Sequence, residues 1–244
     1  MNRDGVETII TDGVLQVRQP QTRWLSTGSN GGRVSADAAY NITVPDSWDE
    51  TELQAYTDQR ITTAGFDTTG PALLTGVAQR HARCATCGTV TAVITAGISN
   101  PAALPPRDSI ADSGRDDNRI DTDTDRDHPG TINIILVTTR SLEPAGLATL
   151  LAGVAEAKAV TLHRQTGFSG TTSDAVIVGS DPAGEAAAFA GSATAVGRAA
   201  RACVRDGLGA ALDARYETTA MPESVADADH GARTTATATI STPE

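Results

Sequence analysis

The chain has 244 residues, of which 3% are aromatic and 20% are charged, and its formal net charge is −11. This length allows one domain with a substantial core, which Ala, Val, Ile and Leu must build because aromatic residues are scarce. The acidity argues against nucleic-acid binding, since proteins of that class present basic surfaces to phosphates.

Lysine is almost absent from the chain. Lys158 is the one lysine among 19 basic residues, and the other basic residues are arginines. Lysine depletion with abundant Asp and Thr is typical of a salt-rich cytoplasm, where carboxylates hold water and ions at the protein surface. We therefore expect a halophilic archaeal source.

The sequence shows no targeting or membrane signal. No uninterrupted apolar run reaches the roughly 20 residues that span a bilayer, and the start, Met1-Asn-Arg-Asp-Gly5, lacks the apolar core of a signal peptide. We expect a cytoplasmic protein without a membrane partner. Three cysteines do not suggest a disulfide scaffold.

The predicted elements begin with a hairpin over residues 5–18, in which Asp12-Gly13 supplies a tight turn between two β-prone segments. A strand over 38–44 and a helix over 49–60 follow. The β-branched run over 89–98 predicts a buried strand.

The second half of the chain predicts a β-α-β unit. Residues 131–138 carry apolar side chains on both faces, as in a central strand. Pro144 suits the first turn of a helix over 144–165, and a short buried strand covers 174–178. The two strands are therefore expected to be parallel in one sheet. A last helix is predicted over 192–215.

These elements predict an α+β, or mixed α/β, fold with a single domain over residues 1–217. Its mixed β-sheet contains the N-terminal hairpin and one β-α-β crossover, and a C-terminal helix completes it. Residues 101–129 are rich in Pro and Asp and predict an acidic loop insertion. Residues 218–244 contain few large apolar side chains and predict a disordered tail.

The richest polar motif is Arg23-Trp-Leu-Ser-Thr-Gly-Ser-Asn-Gly-Gly-Arg33. Ser26 and Thr27 offer hydroxyl nucleophiles, and the N–H groups of Asn30, Gly31 and Gly32, with the Asn30 side chain, offer an oxyanion hole or a substrate contact. The alternative is that the hydroxyls cap local backbone and the glycines form a tight turn between two strands.

Two charged residues are further catalytic candidates. Lys158 lies on the apolar side of the 144–165 helix, where a partly buried amine can move a proton or anchor an anion. Alternatively, its stem reaches solvent and pairs with a carboxylate. Asp174 begins a buried strand and is a candidate general base; alternatively, it accepts backbone N–H groups in an Asx turn.

Three polar segments meet at one end of the sheet if the strand ending at Ile98 pairs antiparallel with strand 131–138. Such convergence is typical of a ligand site. Buried amides in these strands need partners, and substrate amides are one possibility. The predicted substrate-binding residues in these segments are Ser99, Asn100, Thr131, Asn133, Thr171 and Thr172, and Asn41, in the strand over 38–44, is a further candidate of the same kind.

The polar motif resembles a segment of the adenosylcobinamide amidohydrolases, which are enzymes of corrinoid salvage. The resemblance spans roughly residues 22–215 and recurs at Thr95–Asn100, Gly130–Ile135, Glu156–Lys158 and Gly170–Val176. It implies hydrolysis of the amide that joins the aminopropanol arm to the corrin ring, which gives adenosylcobyric acid. The alternative function is a corrinoid-binding or carrier module that does not cleave its ligand.

The implied reaction needs no cofactor from the protein, since cobalt enters within the corrinoid substrate, and we expect no metal site. The spacing His81-x-x-Cys84-x-x-Cys87 suggests a metal or redox protein as a third alternative. However, a second Cys/His pair at suitable spacing is absent, and no thioredoxin-like context surrounds these cysteines. The Asp-x-His-x-x-Gly pattern of corrinoid-dependent enzymes is also missing, so the corrinoid is expected as substrate.

Overall fold

The computed structural model describes residues 5–45, 52–106, 132–228 and 231–243. In these ranges the strands are β1 Glu7–Thr11, β2 Val14–Ser26, β3 Gly32–Thr43, β4 Ala72–Thr75, β5 Arg83–Cys87, β6 Val90–Ala96, β7 Pro101–Ala103, β8 Ile132–Thr138, β9 Ser141–Leu142, β10 Gly170–Thr171, β11 Ala175–Ser180, β12 Ala186–Ala187 and β13 Ala232–Arg233. The α-helices in the same ranges are α1 Leu53–Thr63, α2 Pro144–Thr166 and α3 Ala195–Arg215. Short 3-10 helices cover Gln79–His81 and Val225–Asp227.

β1 and β2 form the predicted hairpin. Their antiparallel register begins with Glu7 opposite Arg18. Asp12 and Gly13 turn the chain with φ angles of 48° and 77°, which are the two left-handed conformations that a type I′ turn requires. The prediction made from the Asp-Gly pair is confirmed.

The main sheet has the strand order β4-β3-β2-β11-β8-β6-β5, and β1 pairs with β2 outside this path. β8 and β11 are parallel, with Asn133 opposite Ala175, and α2 is the crossover between them. β6 and β8 are antiparallel, with Thr95 opposite Asn133. Both predicted pairings are confirmed, so the ends of these strands lie at one end of the sheet as expected.

The sheet folds back on itself at an irregularity in β2. The register of β2 against β3 shifts between Arg18 and Thr22. As a result, Leu15 from the first half of β2 shares a core cluster with Ile135 of β8, although these two strands do not pair. We call the side of β6, β8 and β11 that faces this cluster the inner face. The cluster consists of Leu15, Val17, Trp24, Ala39, Leu73, Val93, Ile135, Val137 and Ile177.

Helices cover the two outer surfaces of the folded sheet. α2 and α3 lie against the other face of β6, β8 and β11, where Ile134 shares a cluster with Val154 and Leu208. α1 covers the folded-back layer, where Ile61 shares a cluster with Tyr40. The predicted α+β architecture with a mixed sheet is confirmed, and two sheet layers lie between two helical layers.

α2 begins at the predicted residue and is capped by a glycine at its C-terminal end. It begins at Pro144 and ends before Gly167, whose φ of 80° is the left-handed conformation of a helix cap. By length and composition alone, this 23-residue helix is apolar enough to cross a membrane. Its buried side chains instead pack in the core, and they include Leu147, Leu150, Val154 and Leu162.

Short strands appear in two segments for which irregular chain is predicted. Within the predicted insertion, residues 101–103 form β7, while residues 107–131 lie outside the described chain. β7 pairs antiparallel with β10 and parallel with β13, which belongs to the predicted tail. Strands of two or three residues are too short to show an alternating pattern, so the sequence does not reveal them.

Candidate functional site

Polar side chains collect at the end of the sheet where β8 and β11 begin and where β2 and β6 end. We call this region the polar end. β2 ends at Ser26, opposite Ile177 of β11, and β6 ends at Ala96, opposite Ile132 of β8. The predicted site residues divide here between the side covered by α2 and the inner face.

Lys158 and Asp174 meet on the α2 side of the polar end. Lys158 Nζ donates to Asp174 Oδ2, and the two side chains are 12% and 11% exposed. Thr171 donates its backbone N–H to Asp174 Oδ2 at 3.1 Å and its hydroxyl to Oδ1. The carboxylate therefore holds both α2 and its own turn, and three predicted site residues form one contact group.

Asn100 connects the segment after β6 to the turn before β11. Its side-chain Nδ2 donates to Thr172 Oγ1 at 2.7 Å and to Ser173 Oγ at 3.0 Å. Its backbone carbonyl accepts the Thr172 N–H at 3.0 Å. Asn100 is buried, whereas Ser99 is exposed. The structure thus brings the Asn100 and Thr172 segments into direct contact.

The segment after Ser26 is the turn of the hairpin between β2 and β3, closed by Ser26 opposite Gly32. Ser26 is 6% exposed and lies on the inner face, because it is two residues after Trp24 of the inner cluster. Its Oγ accepts the Gly28 N–H at 3.1 Å. A Cβ at Gly31 would lie 2.4 Å from the Ser26 carbonyl oxygen, so the tight turn requires glycine there.

Thr27 and Asn30 have structural partners of their own. Thr27 N–H donates to the Val176 carbonyl at 2.9 Å, and the Val176 N–H donates to Thr27 Oγ1 at 2.9 Å. Asn30 Nδ2 donates to Gln54 Oε1 of α1 at 3.0 Å. These bonds fasten the turn to β11 and α1, which leaves Ser26 as the better nucleophile candidate of the two hydroxyls.

Buried amides form a chain on the inner face. Asn133 Nδ2 donates to Asn41 Oδ1 at 2.8 Å and to the Leu74 carbonyl at 2.9 Å. Asn41 Nδ2 donates to Thr95 Oγ1 at 2.9 Å and to Gln79 Oε1 at 3.4 Å. The side chains of Asn133, Asn41, Thr95 and Gln79 are at most 4% exposed. We call Asn133, Asn41 and Gln79 the amide chain.

The sequence pattern does not identify every member of this region. Thr95 can be recognised as a site residue only once β6 is known to pair with β8. It is then a hydroxyl residue in an apolar strand, directly opposite Asn133. Gln79 lies in a 3-10 turn, where no periodicity marks it. The predicted candidate Thr131 lies outside the described residues.

The His81-x-x-Cys84-x-x-Cys87 motif is dispersed. His81 Nδ1 lies 2.8 Å from the Ala214 carbonyl, and burial lowers the pKa of this imidazole. Cys84 and Cys87 are exposed and three residues apart on β5, so their side chains point to opposite faces of the strand. Within the described ranges, no group of three or more His, Cys, Asp or Glu residues is placed to hold a metal ion.

A cavity of about 200 Å³ lies between α2 and α3, away from the polar end. Leu150, Ala190 and Ala200 contribute to its walls. Glu156 and Arg201 also line it and form an ion pair of 2.8 Å. None of the predicted site residues is part of this lining, so the cavity and the polar end are separate features.

Comparison with known proteins defines the class of this chain as an amidohydrolase. The chain belongs to the adenosylcobinamide amidohydrolase family, whose model it matches over residues 3–220. It is 50% identical over 239 residues to an adenosylcobinamide amidohydrolase of Halobacterium salinarum, which covers 97% of this chain and 99% of that relative. A protein of the same name from Methanosarcina mazei is 29% identical over 203 residues, or 79% of this chain and 91% of the relative. The resemblance predicted from short motifs is therefore confirmed, and a halophilic source is compatible with the first relative.

Proposed function

We propose that this protein hydrolyses adenosylcobinamide at the amide that joins the aminopropanol arm to the corrin ring, releasing adenosylcobyric acid and the amine. The match to the family over residues 3–220 carries the proposal. The polar end supports it, because it combines hydroxyl, amide, carboxylate and ammonium groups at one end of a rigid sheet. We place the activity in the cytoplasm, as part of corrinoid salvage.

Ser26 is the proposed nucleophile. Its Oγ accepts a hydrogen bond from Gly28, and in the described part of the chain no acceptor is found for its own proton. Attack of Oγ on the amide carbon forms a tetrahedral oxyanion, for which backbone N–H groups of the Asn30–Gly32 turn are the proposed donors. The oxyanion then collapses to a serine ester and expels the amine.

Lys158 and Asp174 enter this proposal as one unit. The two side chains lie on the α2 side of the polar end, on the opposite face of the sheet from Ser26, so they act by holding the turn before β11 against α2. The proton that Ser26 loses passes to the leaving nitrogen, which departs as the free amine. Asp174 holds Lys158 in place, since its oxygens accept hydrogen bonds from Lys158 and from Thr171. Water then hydrolyses the ester, which returns the serine hydroxyl and releases the acid. The protein supplies no metal in this scheme, because the cobalt belongs to the substrate.

Incubation of the purified protein with adenosylcobinamide in molar salt, followed by chromatography, tests this function. We expect adenosylcobyric acid and the free amine, with a rate that does not change when EDTA is added. Ser26→Ala should lower kcat by more than about a thousandfold, whereas Thr27→Ala should retain more activity, since its hydroxyl bonds backbone.

The alternatives give different results in the same experiment. Wild-type protein that binds the corrinoid without cleaving it would support the carrier module. Cleavage that survives Ser26→Ala would mean that water attacks the amide directly. Loss of activity in EDTA that zinc restores would support the metal alternative.

A further inference from the structure

The amide chain ends at an oxygen atom, which we call the open acceptor, that receives no hydrogen bond from the described residues. Asn133 Oδ1 is fully enclosed and, in the described part of the chain, accepts no hydrogen bond. Asn133 as a whole is 1% exposed. Buried carbonyl oxygens of this kind are normally paired, because leaving one unpaired forfeits the bond it made to water in the unfolded chain.

The direction of each amide is fixed by backbone carbonyls, which can only accept. Thr43 Oγ1 donates to the Val77 carbonyl at 2.9 Å and so accepts from Gln79 Nε2 at 3.1 Å. This turns Gln79 Oε1 towards Asn41. At the other end, the Leu74 carbonyl requires the amide nitrogen of Asn133. Rotating the Asn133 amide by a half turn would bring two oxygens together, so Oδ1 is the atom that stays open.

The open acceptor lies on the same inner face and at the same sheet end as Ser26. Ser26 on β2 and Asn133 on β8 are separated by β11 and are offset by two residues along the strands. Strand spacings of about 4.8 Å across and about 3.3 Å along the chain put their Cα atoms roughly 12 Å apart. A ligand large enough to be cut at Ser26 can therefore also reach Asn133 with a group that is remote from the cut.

We propose that Asn133 Oδ1 accepts an N–H of a primary carboxamide on the substrate, away from the bond that is hydrolysed. The inference rests on the proposed function, since it takes the corrin periphery, which carries many such amides, as the source of the donor. Asn133 is then a specificity-determining residue. Because Oδ1 is enclosed, the substrate amide must displace the groups that cover it, while the hydrogen bonds of the amide chain keep the Asn133 side chain itself in place.

A series of substrates tests the proposal on the unaltered protein. Each derivative of adenosylcobinamide has one peripheral carboxamide N,N-dimethylated, which removes both N–H donors and keeps the carbonyl. We expect one derivative to lose roughly tenfold in affinity, as for one buried hydrogen bond. The loss should appear in KM and in equilibrium binding, with little change in kcat. Equal affinity for all derivatives would overturn the proposal.

Asn133→Leu and Gln19→Leu form a matched pair of variants. Gln19 is also a buried amide with an open Oε1, but it bonds the Thr138 carbonyl at the far end of β8. We expect Asn133→Leu to bind the sensitive derivative as well as the parent compound, while Gln19→Leu discriminates like wild type. If both variants discriminate like wild type, the open oxygen of Asn133 holds only a water and the proposal fails. Binding by equilibrium dialysis tests the proposal even if no turnover occurs, so its failure is distinct from that of the proposed reaction.

Discussion

Lys158 of α2 and Asp174, directly before β11, form an ion pair in which both side chains are almost nine-tenths buried. The pair spans the crossover of the β-α-β unit, so it fixes the end of the connecting helix against the start of the second strand. Gly170 makes room for the pair, since a Cβ there would lie 2.8 Å from Asp174 Oδ2. The one lysine of the chain is therefore at a position where its removal would leave a buried carboxylate without its ion-pair partner.

Removing one member of this pair should destabilise the fold strongly. Lys158→Met leaves Asp174 as a buried charge whose remaining partners are Thr171 donors, so we expect a loss of about 3–5 kcal/mol in the free energy of unfolding. Urea denaturation in molar salt measures the loss. Arg18→Met is the control, because the Arg18–Glu7 pair is 41% and 64% exposed and surface pairs contribute about 0–1 kcal/mol. Equal losses in both variants would contradict the structural role of the buried pair.

The turn beside Ser26 should not tolerate a methyl group at Gly31. An alanine Cβ there would lie 2.4 Å from the Ser26 carbonyl and 2.7 Å from the Gly28 carbonyl, and both are backbone atoms that cannot rotate away. We expect Gly31→Ala to lower both stability and turnover. Gly153→Ala is the matched control, because a Cβ at this position of α2 meets no atom within 4 Å. Alanine should stabilise that helix by about 0.5–1 kcal/mol. Unchanged kcat in Gly31→Ala would exclude a catalytic need for this turn geometry.

The three cysteines should differ in reactivity. Burial raises the pKa of the Cys203 thiol to about 11, and the residue is 2% exposed. Cys84 and Cys87 are exposed on β5. At pH 8 iodoacetamide should therefore label Cys84 and Cys87 in the folded protein and Cys203 only after unfolding, since the thiolate is the nucleophile. Peptide mass spectrometry locates the label. Rapid labelling of Cys203 in the folded protein would contradict its place in the core.

The β-α-β unit of the fold can be predicted from the sequence, because each of its elements is marked by a local pattern of residues. The apolar run of β8, Pro144 at the start of α2 and the short apolar strand β11 define the crossover, and its handedness leaves one arrangement. The contact between Asn100 and Thr172 follows from the pairing of β6, β8 and β11. The fold-back of β2 does not follow, because it depends on the irregularity between Arg18 and Thr22, which no local pattern marks.

The contacts within the amide chain could not be predicted from the sequence either. Asn133 can be suspected from sequence, since an amide in an apolar strand needs a partner. Its partner Asn41 comes from the folded-back layer, and Gln79 comes from a 3-10 turn beyond β4. These contacts exist only once the two sheet layers are stacked. A prediction that treats each strand separately therefore finds the polar residues but not the chain that they form.

Low salt should destabilise this protein. A net charge of −11 repels itself more strongly when the Debye length grows from about 3 Å in 1 M salt to about 30 Å in 0.01 M salt. We expect the thermal midpoint, followed by tryptophan fluorescence to which the buried Trp24 contributes, to fall as NaCl is lowered from molar to millimolar concentration. Sodium sulfate at equal ionic strength separates the two possible causes. Screening predicts the same midpoint in both salts, whereas exclusion of the salt from apolar surface predicts a higher midpoint in sulfate. A midpoint that does not change between molar and millimolar NaCl would show that the charge is tolerated without screening.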